Sequence, residues 1–208
     1  MPSQRIRAQR LLAPIFNLPN QLTSLRILLA AIMFGLIDQQ FYWASFVLFV
    51  IAASTDWLDG YFARKYGLVT TLGRILDPFA DKVIVCGTFI YLVSISTTIE
   101  VRWGLRAWMV VVLVGRELLV TALRSFLEDR GSDFSAQMSG KLKMVFQCIA
   151  AGTGLFVLGY LQSHPLLTVA GLPGWIWLTL VVSTWTAVIS TAYSGIIYIW
   201  VAIKLLHE

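Results

Sequence analysis

The sequence predicts an all-α integral membrane protein: six transmembrane helices with an N-terminal amphipathic helix at the membrane surface. Of the 208 residues, 58% are hydrophobic and 13% are charged, whereas soluble domains carry about 25% charged residues. The apolar residues fall into six long runs, and a membrane-spanning helix needs about 20 residues. A chain of this length is expected to form one domain, with an interfacial segment over residues 1–20 and the helix bundle over residues 21–208.

The first predicted element is the amphipathic helix, over residues 4–16. Three arginines alternate there with isoleucine, leucine and phenylalanine, a pattern typical of a helix that lies in the membrane interface. A signal peptide is disfavoured, because Pro14 and Pro19 interrupt the segment before an apolar core begins. A disordered basic tail is the alternative.

Six predicted membrane spans follow, separated by sequences typical of turns at residues 38–40, 66–67, 129–132 and 171–174. Pro78, early in the third run, is expected to bend that helix or to lie in its first turns. The predicted spans are residues 22–37, 41–66, 72–95, 103–127, 138–161 and 175–206.

The basic residues lie mostly at one end of the predicted helices, and Arg102 and Arg106 lie at the other end. The positive-inside rule therefore places both termini in the cytoplasm. The net charge of +5 indicates this orientation and anionic substrates rather than nucleic acid, because no basic run with interleaved aromatics occurs outside the spans. Cys86 and Cys148 lie within apolar runs, which predicts a packing role rather than a disulfide.

Four aspartates interrupt the second and third runs. Asp56 and Asp59 are three residues apart, and Asp77 and Asp81 are four apart, so each pair shares one helix face. Carboxylates at membrane depth are costly and usually functional, and hard divalent cations prefer oxygen ligands. We therefore predict a site for two Mg²⁺ or Mn²⁺ ions between the two pairs. The alternative is that these aspartates cap and hydrate a surface helix pair.

Small and basic residues accompany the aspartates. Gly60, Ala63 and Gly73 allow phosphate oxygens or a sugar to approach the backbone. Arg64 and Arg74 add positive charge, which favours a substrate that carries phosphates.

A charged stripe interrupts the fourth run. Arg116, Glu117 and Arg124 fall within an arc of about 100° on a helix and are expected to face the bundle interior. An Arg116–Glu117 ion pair with structural value only is the alternative, although adjacent residues do not face each other well on a helix.

Two lysines begin the fifth run. Lys141 and Lys143 lie about 200° apart around a helix, so one is expected to face the cavity while the other reaches lipid phosphate. Taken alone, such lysines are typical membrane anchors. Together with Arg116 and Arg124 they predict a cationic pocket for a phosphate dianion.

The pattern D-x2-D-G-x2-A-R-x8-G-x3-D-x3-D, over residues 56–81, resembles the signature of the CDP-alcohol phosphotransferases, and every fixed position is filled. GRELLVTALR at residues 115–124, GKLKMVFQ at residues 140–147 and NLPNQLTSLR at residues 17–26 resemble the branch that uses glycerol phosphate. The resemblance covers nearly the whole chain. One departure is Met144, where this branch commonly has threonine.

The resemblance implies transfer of a phosphatidyl group from CDP-diacylglycerol to sn-glycerol 3-phosphate with release of CMP, by a homodimer in a bacterial inner or plasma membrane. It implies that the four aspartates hold the metals and that Asp81 is also the general base. The implied CDP-diacylglycerol site comprises Asp56, Asp59, Gly60, Ala63, Arg64 and Gly73. The implied acceptor-phosphate site comprises Arg116, Arg124, Lys141 and Lys143.

Other functions remain open at this point. A sibling enzyme would use inositol phosphate, serine or phosphatidylglycerol as the acceptor, and serine lacks the phosphate that a cationic pocket binds. A divalent-metal transporter also places carboxylates within the membrane, but an arginine beside the path would repel the ion. A non-catalytic scaffold is disfavoured by the intact signature.

Overall fold

In the computed structural model, residues 18–66, 71–96, 104–129, 138–167 and 171–207 are described. These residues form six α-helices and no strand, which confirms the all-α prediction, with helix ends within a few residues of the predicted ones. The helices are α1 (Leu18–Asp38), α2 (Tyr42–Tyr66), α3 (Thr71–Ser96), α4 (Ala107–Asp129), α5 (Met138–Ser163) and α6 (Gly174–His207). The predicted helix over residues 4–16 lies outside the described residues.

The six helices pack around one main apolar core. Helix α1 packs on α2 and α3, α2 packs on α5, and α6 packs on both α4 and α5. Phe89, Met33, Met109 and Leu155 are almost fully buried in this core. Helix α3 is continuous through Pro78. The cysteines are free and partly buried, as predicted.

Glycines allow neighbouring helices to approach closely. A Cβ atom on Gly87 of α3 would overlap the ring of Phe34 on α1. A Cβ atom on Gly154 of α5 would lie 2.6 Å from Cδ1 of Leu92 on α3. Small residues at such contacts are typical of helix packing in membranes.

The predicted turn at residues 38–40 joins α1 to α2 and closes α1 with a Schellman motif. Gln40 has a φ of 62°, the left-handed conformation usually given to glycine at this position. The amide of Phe41 donates to the Leu36 carbonyl at 2.8 Å, and the amide of Gln40 donates to the Ile37 carbonyl at 3.0 Å.

Two side-chain hydrogen bonds tie the first turn of α2 and the preceding loop to the last turn of α5. Gln162 Nε2 donates to the Gln40 carbonyl at 2.6 Å, and Trp43 Nε1 donates to Ser163 Oγ at 2.8 Å. Both ties lie at the end of the bundle opposite the aspartates, since α2 runs from Tyr42 towards Asp56.

Apolar side chains cover the outside of the bundle as well as filling its core, unlike those of a soluble bundle. Large apolar side chains point outwards, and Val111, Leu118 and Ile196 are each more than 60% exposed. Thr191 and Ser194 are fully buried. A large exposed apolar surface marks contact with a membrane or a partner.

Among the described residues, two segments are long and apolar enough to span a membrane, Leu142–Ser163 and Gly174–Leu205, and Tyr42–Thr55 is a shorter apolar helix. The six predicted helices are therefore present, whereas six membrane spans are not confirmed. The physical reason is charge within the helices: the apolar part of α2 ends at Asp56, and α4 carries Arg116 and Glu117 near its middle.

Candidate functional site

Helices α2 and α3 carry the residues of the aspartate signature. Asp56 and Asp59 lie one turn apart on α2, and Asp77 and Asp81 lie one turn apart on α3, so the predicted helical spacing of each pair is confirmed. The Asp81 side chain belongs to the described part of the protein. The remaining predicted signature side chains lie outside it, namely Asp56, Asp59, Gly60, Ala63, Arg64, Gly73, Arg74 and Asp77.

Asp81 forms an ion pair with Arg26, which reaches it from α1. The Arg26 side chain is 3% exposed and that of Asp81 is 22% exposed, so the pair is held within the α1–α3 contact. Sequence reasoning placed Arg26 in a motif but gave it no role. The available signal was its position in an apolar run, where a charged residue needs a partner.

The chemistry of the donor set fits a divalent metal. Carboxylate oxygens on successive helical turns are the ligands that Mg²⁺ and Mn²⁺ prefer. Among the described side chains, no three His, Cys, Asp or Glu residues lie together, and three of the four predicted ligands are not among them. The metal site therefore stays a prediction.

Glu117 is the centre of a second, buried cluster. It forms an ion pair with Lys143 of α5, and its Oε1 lies 3.3 Å from a terminal nitrogen of Arg116. Gln147 Nε2 lies 3.4 Å from the same oxygen and donates to Thr191 Oγ1 at 3.0 Å. The predicted alternative, an Arg116–Glu117 ion pair, is thus present as one contact within a network that joins α4, α5 and α6.

Contacts with α6 hold the Arg116 side chain in place. It donates to Ser194 Oγ at 2.7 Å, and its guanidinium carbon lies 5.2 Å from the centre of the Tyr198 ring, within the range of a cation–π interaction. A Cβ atom on Gly195 would lie 3.0 Å from Arg116 Cγ, so glycine leaves room for the arginine.

Sequence reasoning missed the contribution of α6. Thr191, Ser194 and Tyr198 are spaced three and four residues apart, so they share one helix face. This polar stripe in an otherwise apolar helix was the signal that could have identified them.

Lysine 143 faces the interior and is 5% exposed, in agreement with the prediction that one of the two lysines does so. The Lys141 side chain lies outside the described residues. Lys82 on α3, which sequence reasoning also missed, lies within electrostatic range of Arg116, Arg124 and Lys143. Its position directly after Asp81 was the only local signal.

The basic side chains outnumber the acidic ones at this end of the bundle. The described residues there include two carboxylates, Asp81 and Glu117, and five cations: Arg26, Lys82, Arg116, Arg124 and Lys143.

Two buried donors in this cluster are also unpaired. The Nε atoms of Arg116 and Arg124 have no hydrogen-bond acceptor among the described residues. Buried donors without partners are costly, and an anion supplies what they lack. The arrangement is thus suited to binding a phosphate group beside Asp81.

Residues 16–192 match the family model of the CDP-alcohol phosphatidyltransferases. A Bacillus subtilis protein named CDP-diacylglycerol–glycerol-3-phosphate 3-phosphatidyltransferase is 40% identical over 151 residues, which cover 65% of this chain and 75% of that protein. A Salmonella choleraesuis protein of the same name is 34% identical over 140 residues, covering 65% and 74%. An Arabidopsis thaliana protein named CDP-diacylglycerol–glycerol-3-phosphate 3-phosphatidyltransferase 2 is 34% identical over 152 residues, which cover 68% of this chain and 65% of that protein.

Proposed function

Because the chain belongs to the CDP-alcohol phosphatidyltransferase family, we propose that it transfers the phosphatidyl group of CDP-diacylglycerol to sn-glycerol 3-phosphate. Relatives from bacteria and a plant are named for this activity. The observation on this chain that carries the choice of acceptor is the buried basic cluster, with its unpaired Nε donors on Arg116 and Arg124. A phosphate on the acceptor supplies both the charge and the hydrogen-bond acceptors that this cluster lacks.

The reaction exchanges one phosphorus–oxygen bond for another. A hydroxyl oxygen of glycerol 3-phosphate forms a bond to the phosphorus that carries diacylglycerol. The bond from that phosphorus to the bridging oxygen of the diphosphate breaks, and CMP leaves with the electron pair. The hydroxyl proton passes to a base, a role that we assign to Asp81, since a positioned carboxylate is suited to this transfer.

The metal is part of the proposal. Asp56, Asp59, Asp77 and Asp81 would hold two Mg²⁺ or Mn²⁺ ions, which neutralise diphosphate charge when bound. Beside them, Gly60, Ala63, Arg64 and Gly73 would hold the cytidine and the diphosphate of the donor.

The acceptor phosphate would be bound by Arg116, Arg124 and Lys143, with Lys141 as a further candidate. Lys82, which follows Asp81 and lies within electrostatic range of Arg116 and Arg124, would add a further cation. Serine has no phosphate to satisfy these side chains, and a path for divalent cations would be blocked by like charge. Inositol phosphate fits the charge of the cluster and is the competing acceptor.

The proposed setting is the inner or plasma membrane, crossed by all six helices with the site on the cytoplasmic side. The apolar exterior of the bundle and the uneven distribution of arginine and lysine support this arrangement. A homodimer, implied by the family resemblance, completes the proposal.

An assay in detergent with CDP-diacylglycerol and labelled acceptors tests the function. We expect the purified protein to form labelled phosphatidylglycerophosphate from glycerol 3-phosphate, and to leave inositol phosphate, serine and phosphatidylglycerol unused. A preference for any of those three acceptors under the same conditions would contradict the assignment. A preparation without CDP-diacylglycerol is the control for carried-over lipid.

A further inference from the structure

Glu117 is an acidic side chain buried among cations, and the proposed reaction gives it no role. Of the acidic side chains in the described part of the chain, it is the only buried one, and the residue is 7% exposed. Its carboxylate contacts Lys143, Arg116 and Gln147. A buried carboxylate is costly unless it is paired and hydrogen-bonded, and these contacts meet that requirement.

The network around Glu117 fixes both cations and leaves donors free. Arg116 uses its two terminal nitrogens on Glu117 and Ser194, while its Nε has no acceptor among the described residues. Lys143 carries three N–H donors on its ammonium group, and a single carboxylate oxygen contacts that group in the ion pair with Glu117. The carboxylate thus holds each cation through part of its donor set.

We propose that Glu117 is a positioning residue, which holds Lys143 and Arg116 in place so that their remaining donors meet the phosphate of the acceptor. The inference rests on the proposed function and deepens it, since it assigns a role in acceptor recognition to a side chain that repels phosphate. Arg116 and Lys82 carry like charge within electrostatic range of Lys143, and without Glu117 no carboxylate would offset their repulsion of its ammonium.

The direction of one kinetic change separates positioning from simple charge balance. Replacing Glu117 by glutamine removes one negative charge near the phosphate. If charge alone mattered, phosphate would bind more tightly and the Michaelis constant for glycerol 3-phosphate would fall. If Glu117 positions the cations, that constant rises because Lys143 is no longer held.

The experiment compares Glu117→Gln with the wild-type protein in detergent, with both substrates varied. We expect the Michaelis constant for glycerol 3-phosphate to rise about tenfold or more, the scale of one charge-assisted contact. The constant for CDP-diacylglycerol should stay within twofold. An unchanged or lower acceptor constant would overturn the inference.

A double-mutant cycle shows whether Glu117 acts through Lys143. In a Lys143→Met background, the rise caused by Glu117→Gln should be several-fold smaller than in the wild-type background, because the side chain being positioned is absent. Additive effects of the two substitutions would contradict the proposal. Ser45→Ala is the matched control: it removes a buried hydroxyl near the start of α2 and should leave both constants within twofold.

Gel filtration in detergent shows whether Glu117→Gln folds. If it does not, a second variant tests the inference. Glu117→Asp retains the charge and shortens the side chain by one methylene, so we expect a smaller rise in the same acceptor constant. If Glu117→Gln does not fold and Glu117→Asp does not raise the Michaelis constant for glycerol 3-phosphate, the inference is overturned. Failure of the wild-type protein to use glycerol 3-phosphate would instead contradict the proposed function, whatever Glu117 does.

Discussion

At the scale of single residues, the two ends of the proposed site are expected to respond differently to substitution. Asp81 is held by Arg26 at the contact between α1 and α3, whereas Arg124 has a buried Nε without an acceptor among the described residues. A group that takes part in proton transfer affects turnover, whereas a group that only binds the acceptor phosphate affects the Michaelis constant for the acceptor.

Asp81→Asn should nearly abolish turnover. The amide keeps the size of the side chain but accepts no proton, and loss of a general base alone typically costs about 10²–10⁴-fold. Loss of a metal ligand would add to this. Turnover is measured with both substrates saturating, and Asp38→Asn, at an exposed position at the end of α1, is the matched control. Turnover of Asp81→Asn within a factor of five of wild type would exclude Asp81 as the base.

Arg124→Ala should raise the Michaelis constant for glycerol 3-phosphate. It removes a charge-assisted contact worth about 1.5–3 kcal/mol, or roughly 10- to 150-fold in the constant that it affects. Turnover and the constant for CDP-diacylglycerol should change little if the contact is equal in the ground and transition states. Arg106→Ala makes the same change at an exposed site just before α4 and serves as the control. If the acceptor constants of both variants match that of wild type, the phosphate pocket is misplaced.

At the scale of helices, the apolar runs and the turn at residues 38–40 were predictable because their signals are local. The contacts made by Arg26 and Ser194 were not, since each joins two different helices. The electrostatic proximity of Lys82 to residues of α4 and α5 was not predictable for the same reason. Spacing along one chain reports which residues share a helix face, but it does not report which neighbouring helix that face meets. The same limit applied to Lys141 and Lys143: their angular separation was predictable, but not which of them faces inwards.

Gln40→Gly should stabilise the turn between α1 and α2. Gln40 adopts a φ of 62°, which strains a residue that has a Cβ atom and leaves glycine unstrained. We expect a gain of about 0.5–1 kcal/mol, which corresponds to a midpoint of thermal unfolding that is about 1–4 °C higher in a chain of this size. The hydrogen bond from Gln162 to the residue 40 carbonyl is retained, since it involves the backbone.

The control for this prediction is Gln39→Gly, the same substitution one residue earlier. Gln40 is the only non-glycine residue with positive φ in the described part of the chain, so glycine at position 39 relieves no strain and should not raise the midpoint. Equal midpoints for the two variants would contradict the explanation from backbone conformation.

At the scale of the whole molecule, the described helices bury a small cluster of charged side chains and expose many large apolar ones. A soluble protein of this composition would expose the same apolar surface to water, whereas a bilayer matches it. The family assignment was predictable from the signature at residues 56–81, because its eight fixed positions are local in sequence. The depth of the bundle was not predictable in the same way, because it depends on the surrounding lipid.

The orientation predicts that Ser3 lies in the cytoplasm. In a variant in which Cys86 and Cys148 are replaced by alanine and Ser3 by cysteine, an impermeant thiol reagent should not label intact cells and should label them after permeabilisation. The asymmetry of arginine and lysine between the two helix ends is the reason. Labelling of intact cells at this position would reverse the orientation, and a cysteine at Arg102, predicted on the opposite side, is the positive control.

Removal of divalent metal should abolish activity of the whole enzyme. Four carboxylates gathered at one site are expected to repel one another unless divalent ions neutralise them, so metal is expected to be required rather than helpful. Turnover is measured in excess chelator and again after Mg²⁺ or Mn²⁺ is added, and recovery is expected with either ion. Full turnover in excess chelator would contradict the metal assignment.

The two hydrogen bonds that tie α2 to α5, from Trp43 to Ser163 and from Gln162 to the Gln40 carbonyl, have a mechanical consequence. These bonds fix the register of the two helices at one end of the bundle, whereas the signature residues of α2 lie near its other end. The relative placement of α2 and α5 is therefore anchored away from the site, so substitutions within the signature are not expected to disturb it.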